Sequence, residues 1–291
     1  DQPEPRHRVL HPRQGREDPE QGQPRQRSIS AEGLIPSDKG KTVNDFQLLI
    51  DLHRPAVRQG PGGDAESKRA MELAGLDRSR PLKIADIGCG TGASTILLAK
   101  ELDAEITAVD FLPEFLDELQ TRASDHGVAD RITTLNCSMD ALPFTEGEFD
   151  VIWSEGAVYN MGFEAGVSAW RRFLKPGGKL IVSEITWLSA TRPPELQSHW
   201  ETEYPEIDVA SAKIGLLERH GYSPEGYFVL PVHCWLENYY RPIQSRFDAF
   251  LERHGHSDQA KAIVDAERQE IALYERFRDY YSYGVYVAKK V

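Results

Sequence analysis

A chain of 291 residues, 40% of them hydrophobic, is long enough for one large α/β domain with additions rather than for several separate cores. Its formal charge of −12 argues against a nucleic-acid partner, because neutralising phosphates takes a basic face. No apolar run approaches the ~18 residues of a membrane span, and three scattered cysteines without a CxxC pair fit a reduced, cytoplasmic protein.

Residues 1–41 are rich in Pro, Arg, Gln and Glu and lack apolar periodicity, so a disordered tail is expected there. Its seven acids nearly balance its eight bases, which removes the case for an anionic partner. A single folded domain is expected over 42–291, in three parts: helical cover (42–80), a core that holds the glycine-rich loop (81–186), and a lid with the final strands (187–291). In the cover, Phe46, Leu49, Ile50 and His53 recur at helical spacing, and "RQGPGG" forms a turn before a second helix.

From Leu82 the chain alternates strand-like and helix-like segments: "LKIADI", "AEITAVD", "RITTLNC", "FDVIWS" and "KLIVSEI" are the strands. Such alternation predicts an α/β fold whose parallel sheet is covered by helices on both faces. Beyond Thr186 come an aromatic and acidic segment, a short helix, the strand "GYFVLPV", and a long helical stretch broken near "HGHS". "YSYGVYVAKK" alternates like a closing strand.

The stretch "IADIGCGTGAS" sets Gly88, Gly90 and Gly92 directly after the first strand. Gly88-x-Gly90-x-x-Ala93 also satisfies the relaxed dinucleotide fingerprint, and Asp110 ends the second strand where a ribose would be gripped. Three features separate the readings. Asp86 in the loop would repel a pyrophosphate but suits an ammonium or sulfonium. "SMDALPF" follows the third strand, where an adenine can be edged, and "FLKPGGKLIVSE" supplies a helix end, a turn and a strand.

With "DIGCGTG", "AVD", "SMDALPF", "FDVIWS" and "LKPGG" in this order, the chain resembles class I S-adenosylmethionine-dependent methyltransferases over residues 44–291. It is most similar to small-molecule enzymes of the ubiquinone/menaquinone-biosynthesis type, and "RQGPG" with "WSEGAVYNMGF" resembles a bacterial subgroup. The resemblance implies a Rossmann-like, seven-stranded, mostly parallel sheet with the last strand antiparallel, and S-adenosyl-L-methionine as cofactor. It implies contacts to the methionine portion at Asp86, Gly88, Cys89, Gly90 and Gly92, and to the ribose at Asp110 with Phe111. Arg58 and Gln59 would fold over the cofactor, and Ser138, Met139 and Asp140 would meet the adenine. One departure stands out: the family often has an acid at the position of Ser138, so Ser138 or Asp140 must serve here.

Glu155, after the fourth strand, is the first catalytic candidate, facing the sulfonium or taking a substrate proton. Tyr159 and Asn160 would line the substrate entrance, and Glu184 points to the cleft as a weaker candidate. His199, Trp200 and Tyr204 would form a lid with His233, Trp235 and Tyr239, with His199 or His233 as a general base. No residue set has metal-ligand spacing, so no metal is expected. The acceptor is expected to be a small molecule, and a homo-oligomer is left open. Two other readings remain: an NAD(P)-dependent oxidoreductase sharing the loop and Asp110, and a non-catalytic S-adenosylmethionine-binding regulatory protein.

Overall fold

A computed structural model describes residues 43–291; the tail expected over 1–41 lies outside the described residues. Strands β1 (Leu82–Ile87), β2 (Ala104–Asp110), β3 (Ile132–Asn136), β4 (Phe149–Ser154) and β5 (Leu174–Trp187) pair in parallel in the order β3-β2-β1-β4-β5. A two-residue strand, β6 (Asp208–Val209), pairs beside the end of β5. β7 (Tyr222–Val229) and β8 (Tyr281–Lys290) complete the sheet, with β8 antiparallel to both β5 and β7. The sheet therefore has eight strands rather than seven. The extra one is too short to show a hydrophobic pattern.

Alternate residues of the central strands feed two cores. Ile84, Val151, Trp153 and Ile181 join one, while Ala85, Ile152, Leu180 and Val182 join the other. That period of two is what a sheet covered on both faces requires. The first face carries α1 (Val43–His53), α2 (Asp64–Leu73), α3 (Ala93–Glu101) and α4 (Pro113–Asp125). α5 (Phe163–Trp170) packs on the opposite face through Phe163 and Val167. After β5, α6 (Pro194–Glu203) returns to the first face through Leu196, and α7 (Ala210–Arg219) covers the second through Leu217.

Between β7 and β8, the first face receives α8 (Val232–Trp235), a π-helical turn over Leu236–Tyr240, α9 (Arg241–Gln244), α10 (Phe247–Arg253) and α11 (Asp258–Phe277). Ser257 caps α11 by accepting from the Ala260 amide, and α10 ends at Arg253, so the expected break at "HGHS" is present. The Lys175-Pro-Gly-Gly segment is not a turn ahead of β5 but lies within it. The register against β4 slips between Phe149 and Val151, and Gly177 takes φ +74°, so the segment forms an irregularity in a continuous strand. No helix among the described residues is long and apolar enough to cross a membrane.

Candidate active site

The parallel strands end together, and the segments leaving them build one wall of a cavity of about 870 Å³. Gly88, Gly90 and Gly92 leave β1 with φ of +76°, +55° and +88°. A Cβ on Gly88 would lie 2.3 Å from the Ala157 Cβ, and one on Gly92 would lie 2.0 Å from Leu119 Cδ1. The glycines are thus demanded by the protein's own neighbours and by backbone conformation. That same bare backbone lines the cavity at Gly88 and Gly90.

The cover holds this loop from above. Gln59 Oε1 accepts the Thr91 amide at 2.9 Å, while its Nε2 donates to the Ala56 carbonyl at 3.1 Å. Arg122 Nη1 reaches both the Ala56 carbonyl (2.9 Å) and Thr91 Oγ1 (2.8 Å). Gln59 lines the cavity, yet its amide is spent on seating the loop. Arg122 carries no motif signal, because its partners, Thr91 Oγ1 and the Ala56 carbonyl, are brought near only by folding.

Two acids flank the loop. Asp110 accepts from the Gly90 amide and the Leu112 amide, both at 2.9 Å, and burial raises its pKa against those bonds. Asp86 is buried and accepts from Thr95 Oγ1 at 2.6 Å. Desolvation, aided by the charges of Glu155 and Asp110, pushes its pKa up to about 7. Burial, with Asp110 and Asp86 adding to it, drives the Cys89 thiol well above its ordinary range, so Cys89 is packing and not a nucleophile.

Ser138 follows β3 and lines the cavity, with a buried Oγ that has no hydrogen-bond partner. Beside it the Met139 carbonyl is fixed by Trp170 Nε1 at 3.1 Å, Asp140 is exposed at the rim, and Phe111 stands 45% exposed. Glu155 is held by three donors: Ser67 Oγ (2.7 Å), Trp153 Nε1 (3.0 Å) and Arg58 Nη1 (3.1 Å). Arg58 is itself buried and also reaches Asp64 at 3.1 Å.

The other half of the cavity is an aromatic chamber. Trp200 packs edge-on to Tyr281 (5.2 Å between centroids), Tyr281 meets Trp235 (6.0 Å), and Trp235 stacks on Tyr283 (5.3 Å). Tyr159 and Tyr204 meet edge-on at 5.9 Å, and His199 lies against Trp200. Burial lowers the His199 pKa, with Glu203 opposing. Glu270, at the chamber wall, accepts from Tyr240 OH at 2.9 Å, and burial beside Glu267 pushes its pKa up to about 8.

Two expectations are corrected. Glu184 does not face the cavity: it is fully buried, paired with Lys213 at 3.2 Å, and burial raises its pKa to about 7. His233 leaves the predicted lid group. It lies 3.3 Å from Glu66 and 3.7 Å from Cys234 Sγ, outside the cavity lining, a trio that sequence spacing did not reveal.

Residues 84–178, spanning the glycine loop to the bulge of β5, match the methyltransferase-domain family. Over these residues the chain is similar to methyltransferase domains. A demethylmenaquinone methyltransferase of Lactiplantibacillus plantarum is 29% identical over 48% of this chain and 59% of its own length. The 27-O-demethylrifamycin SV methyltransferase of Amycolatopsis mediterranei is 25% identical over 84% of this chain and 91% of its own. For three of the curated relatives, the chain spans 53%, 59% and 62% of their length. A methyltransferase of Geobacter sulfurreducens, solved with S-adenosyl-L-homocysteine, superposes with a TM-score of 0.74 at 17% identity. The likeness covers 84% of this chain and 98% of that one. Around the matched residues, α1, α2 and the segments after β5 supply the cover and the chamber.

Proposed function

We propose that the protein transfers a methyl group from S-adenosyl-L-methionine to a small-molecule acceptor. The observation that carries this is the single cavity in which the strand-end acids and the aromatic chamber meet. S-adenosylmethionine supplies an electrophilic methyl on a sulfonium; the acceptor forms the new bond to carbon as the carbon–sulfur bond breaks, its electron pair staying on sulfur.

The residues fit that cofactor. Asp86 and Asp110 offer carboxylates to an ammonium and to ribose hydroxyls, and the unpartnered Ser138 Oγ suits an adenine edge. Glu155 already accepts three hydrogen bonds, so its role is a fixed charge near the sulfonium rather than a mobile base. His199, kept neutral by burial at pH 7, is placed to accept an acceptor's proton. The chamber closes rings around the reacting pair and excludes water.

Arg58 is the sole lysine or arginine among the described residues lining the cavity, and Glu155 and Asp64 already neutralise it. Glu203 and Glu206 line the chamber side, which favours a neutral or cationic acceptor over an anionic one. The test is transfer of isotope-labelled methyl from S-adenosylmethionine into an extract fractionated into small molecules, nucleic acid and protein. Label confined to small molecules supports the proposal; label in nucleic acid or protein, or in none, overturns it.

A further inference from the structure

Glu66, on α2, faces His233 and Cys234, which open α8 at the other end of the chain. The His233 Nε2 atom lies 3.3 Å from Glu66 Oε1 and 3.7 Å from Cys234 Sγ, and one ligand atom from each residue falls within 4.8 Å of the others. A tetrahedral metal with bonds of about 2.0–2.3 Å separates its ligands by roughly 3.3–3.8 Å. The 3.3 Å and 3.7 Å separations both fall in that interval.

The burial of the trio also suits a cation. Cys234 is fully buried and the Glu66 side chain is 13% exposed, whereas His233 is half exposed and leaves a way in from solvent. Glu66 Oε2 is buried without a hydrogen-bond partner, and no lysine or arginine among the described residues pairs with its carboxylate. An unpaired buried carboxylate oxygen is costly, and a cation removes that cost. Gly63 makes room for the carboxylate itself: a Cβ there would lie 2.2 Å from Glu66 Oε2. Thiolate, imidazole and carboxylate together select a zinc-type, borderline-soft ion over magnesium or calcium.

We propose that Glu66, His233 and Cys234 bind one zinc-type divalent cation, with water in the fourth position. On binding, the Cys234 thiol releases its proton to solvent as the sulfur–metal bond forms. The ion staples α2 to α8. Ser67, next to Glu66, holds Glu155, and Trp235, next to Cys234, lines the chamber, so the staple stiffens the wall shared by both. It takes no part in methyl transfer.

The test is titration of the full chain with Co²⁺, read by absorption. One equivalent is expected to give a thiolate-to-cobalt band in the near ultraviolet and strong visible bands of a tetrahedral ion, both abolished by one equivalent of Zn²⁺. Cys234→Ser is expected to remove the thiolate band. His233→Asn, at a half-exposed position that threatens folding less, is expected to weaken cobalt binding at least tenfold. Absence of the thiolate band in the native chain overturns the site. So does its persistence in Cys234→Ser, which would move the metal to Cys89 or Cys137.

Discussion

The Arg58 guanidinium donates to the Glu155 carboxylate at 3.1 Å, joining the cover to the turn after β4 across 97 residues of chain. The side chains are 9% and 18% exposed, so the pair is shielded from solvent screening and from easy rehydration. Removing one partner leaves a charge with fewer hydrogen bonds in a partly dry place. Arg58→Ala is therefore expected to lose about 2–3 kcal/mol of stability in urea unfolding. A loss under about 0.5 kcal/mol would show the pair to be ornamental.

Gly88 and Gly147 share a positive φ, +76° and +65°, but not a neighbourhood. A Cβ on Gly147 meets nothing within 4 Å, whereas one on Gly88 strikes Ala157. Gly147→Ala is expected to cost roughly 1 kcal/mol, the backbone penalty alone. Gly88→Ala is expected to cost about 3 kcal/mol or more, because the obstacle is another Cβ and has no rotamer to yield. Equal costs in thermal unfolding would contradict the packing described around the loop.

Asp86 sets a pH dependence. Its folded pKa, about 7, lies above its unfolded value, so the folded chain binds a proton more tightly than the unfolded one. Its contribution to stability is full below pH ~4 and falls as pH rises to about 7. Glu184, also near 7, adds to the same slope. Asp86→Asn keeps an acceptor for Thr95 and is expected to flatten the decline between pH 5 and 7.5. Stability curves of native and variant chains running parallel across that window would be the contrary result.

Much of this architecture was legible in the residues, for physical reasons. Buried parallel strands such as "FDVIWS" read as short apolar runs, and the glycine run after β1 marks the strand-to-helix turn. β6 escaped because two residues carry no period, and the "KPGG" segment misled because proline and glycine signal turns even inside a bulged strand. The acids of the loop were readable as charges in a ligand-binding turn. The latch of Gln59, Thr91 and Arg122 was not, since its bonds join groups more than 30 residues apart that only folding brings together. Glu184 looked like a cleft residue by its place at a strand end. The buried Lys213, 29 residues on, takes its charge inward.

His199 gives a kinetic prediction. Burial holds its pKa below the ordinary 6.5, so it is neutral through the physiological range. With an acceptor that must lose a proton, kcat/KM is expected to fall as pH drops through that lowered pKa. In His199→Asn the rate is expected to fall about 10²-fold and this acidic limb to vanish. A limb unchanged in the variant would assign the proton to another group.

The central claim, that the strand-end acids hold S-adenosylmethionine, is tested most directly by calorimetric titration with S-adenosylhomocysteine, with NADH in parallel. Saturable one-to-one binding of S-adenosylhomocysteine, none of NADH, and at least tenfold weaker binding by Asp110→Ala are the predicted results. Binding of NADH without S-adenosylhomocysteine would contradict the account and make the loop a dinucleotide site.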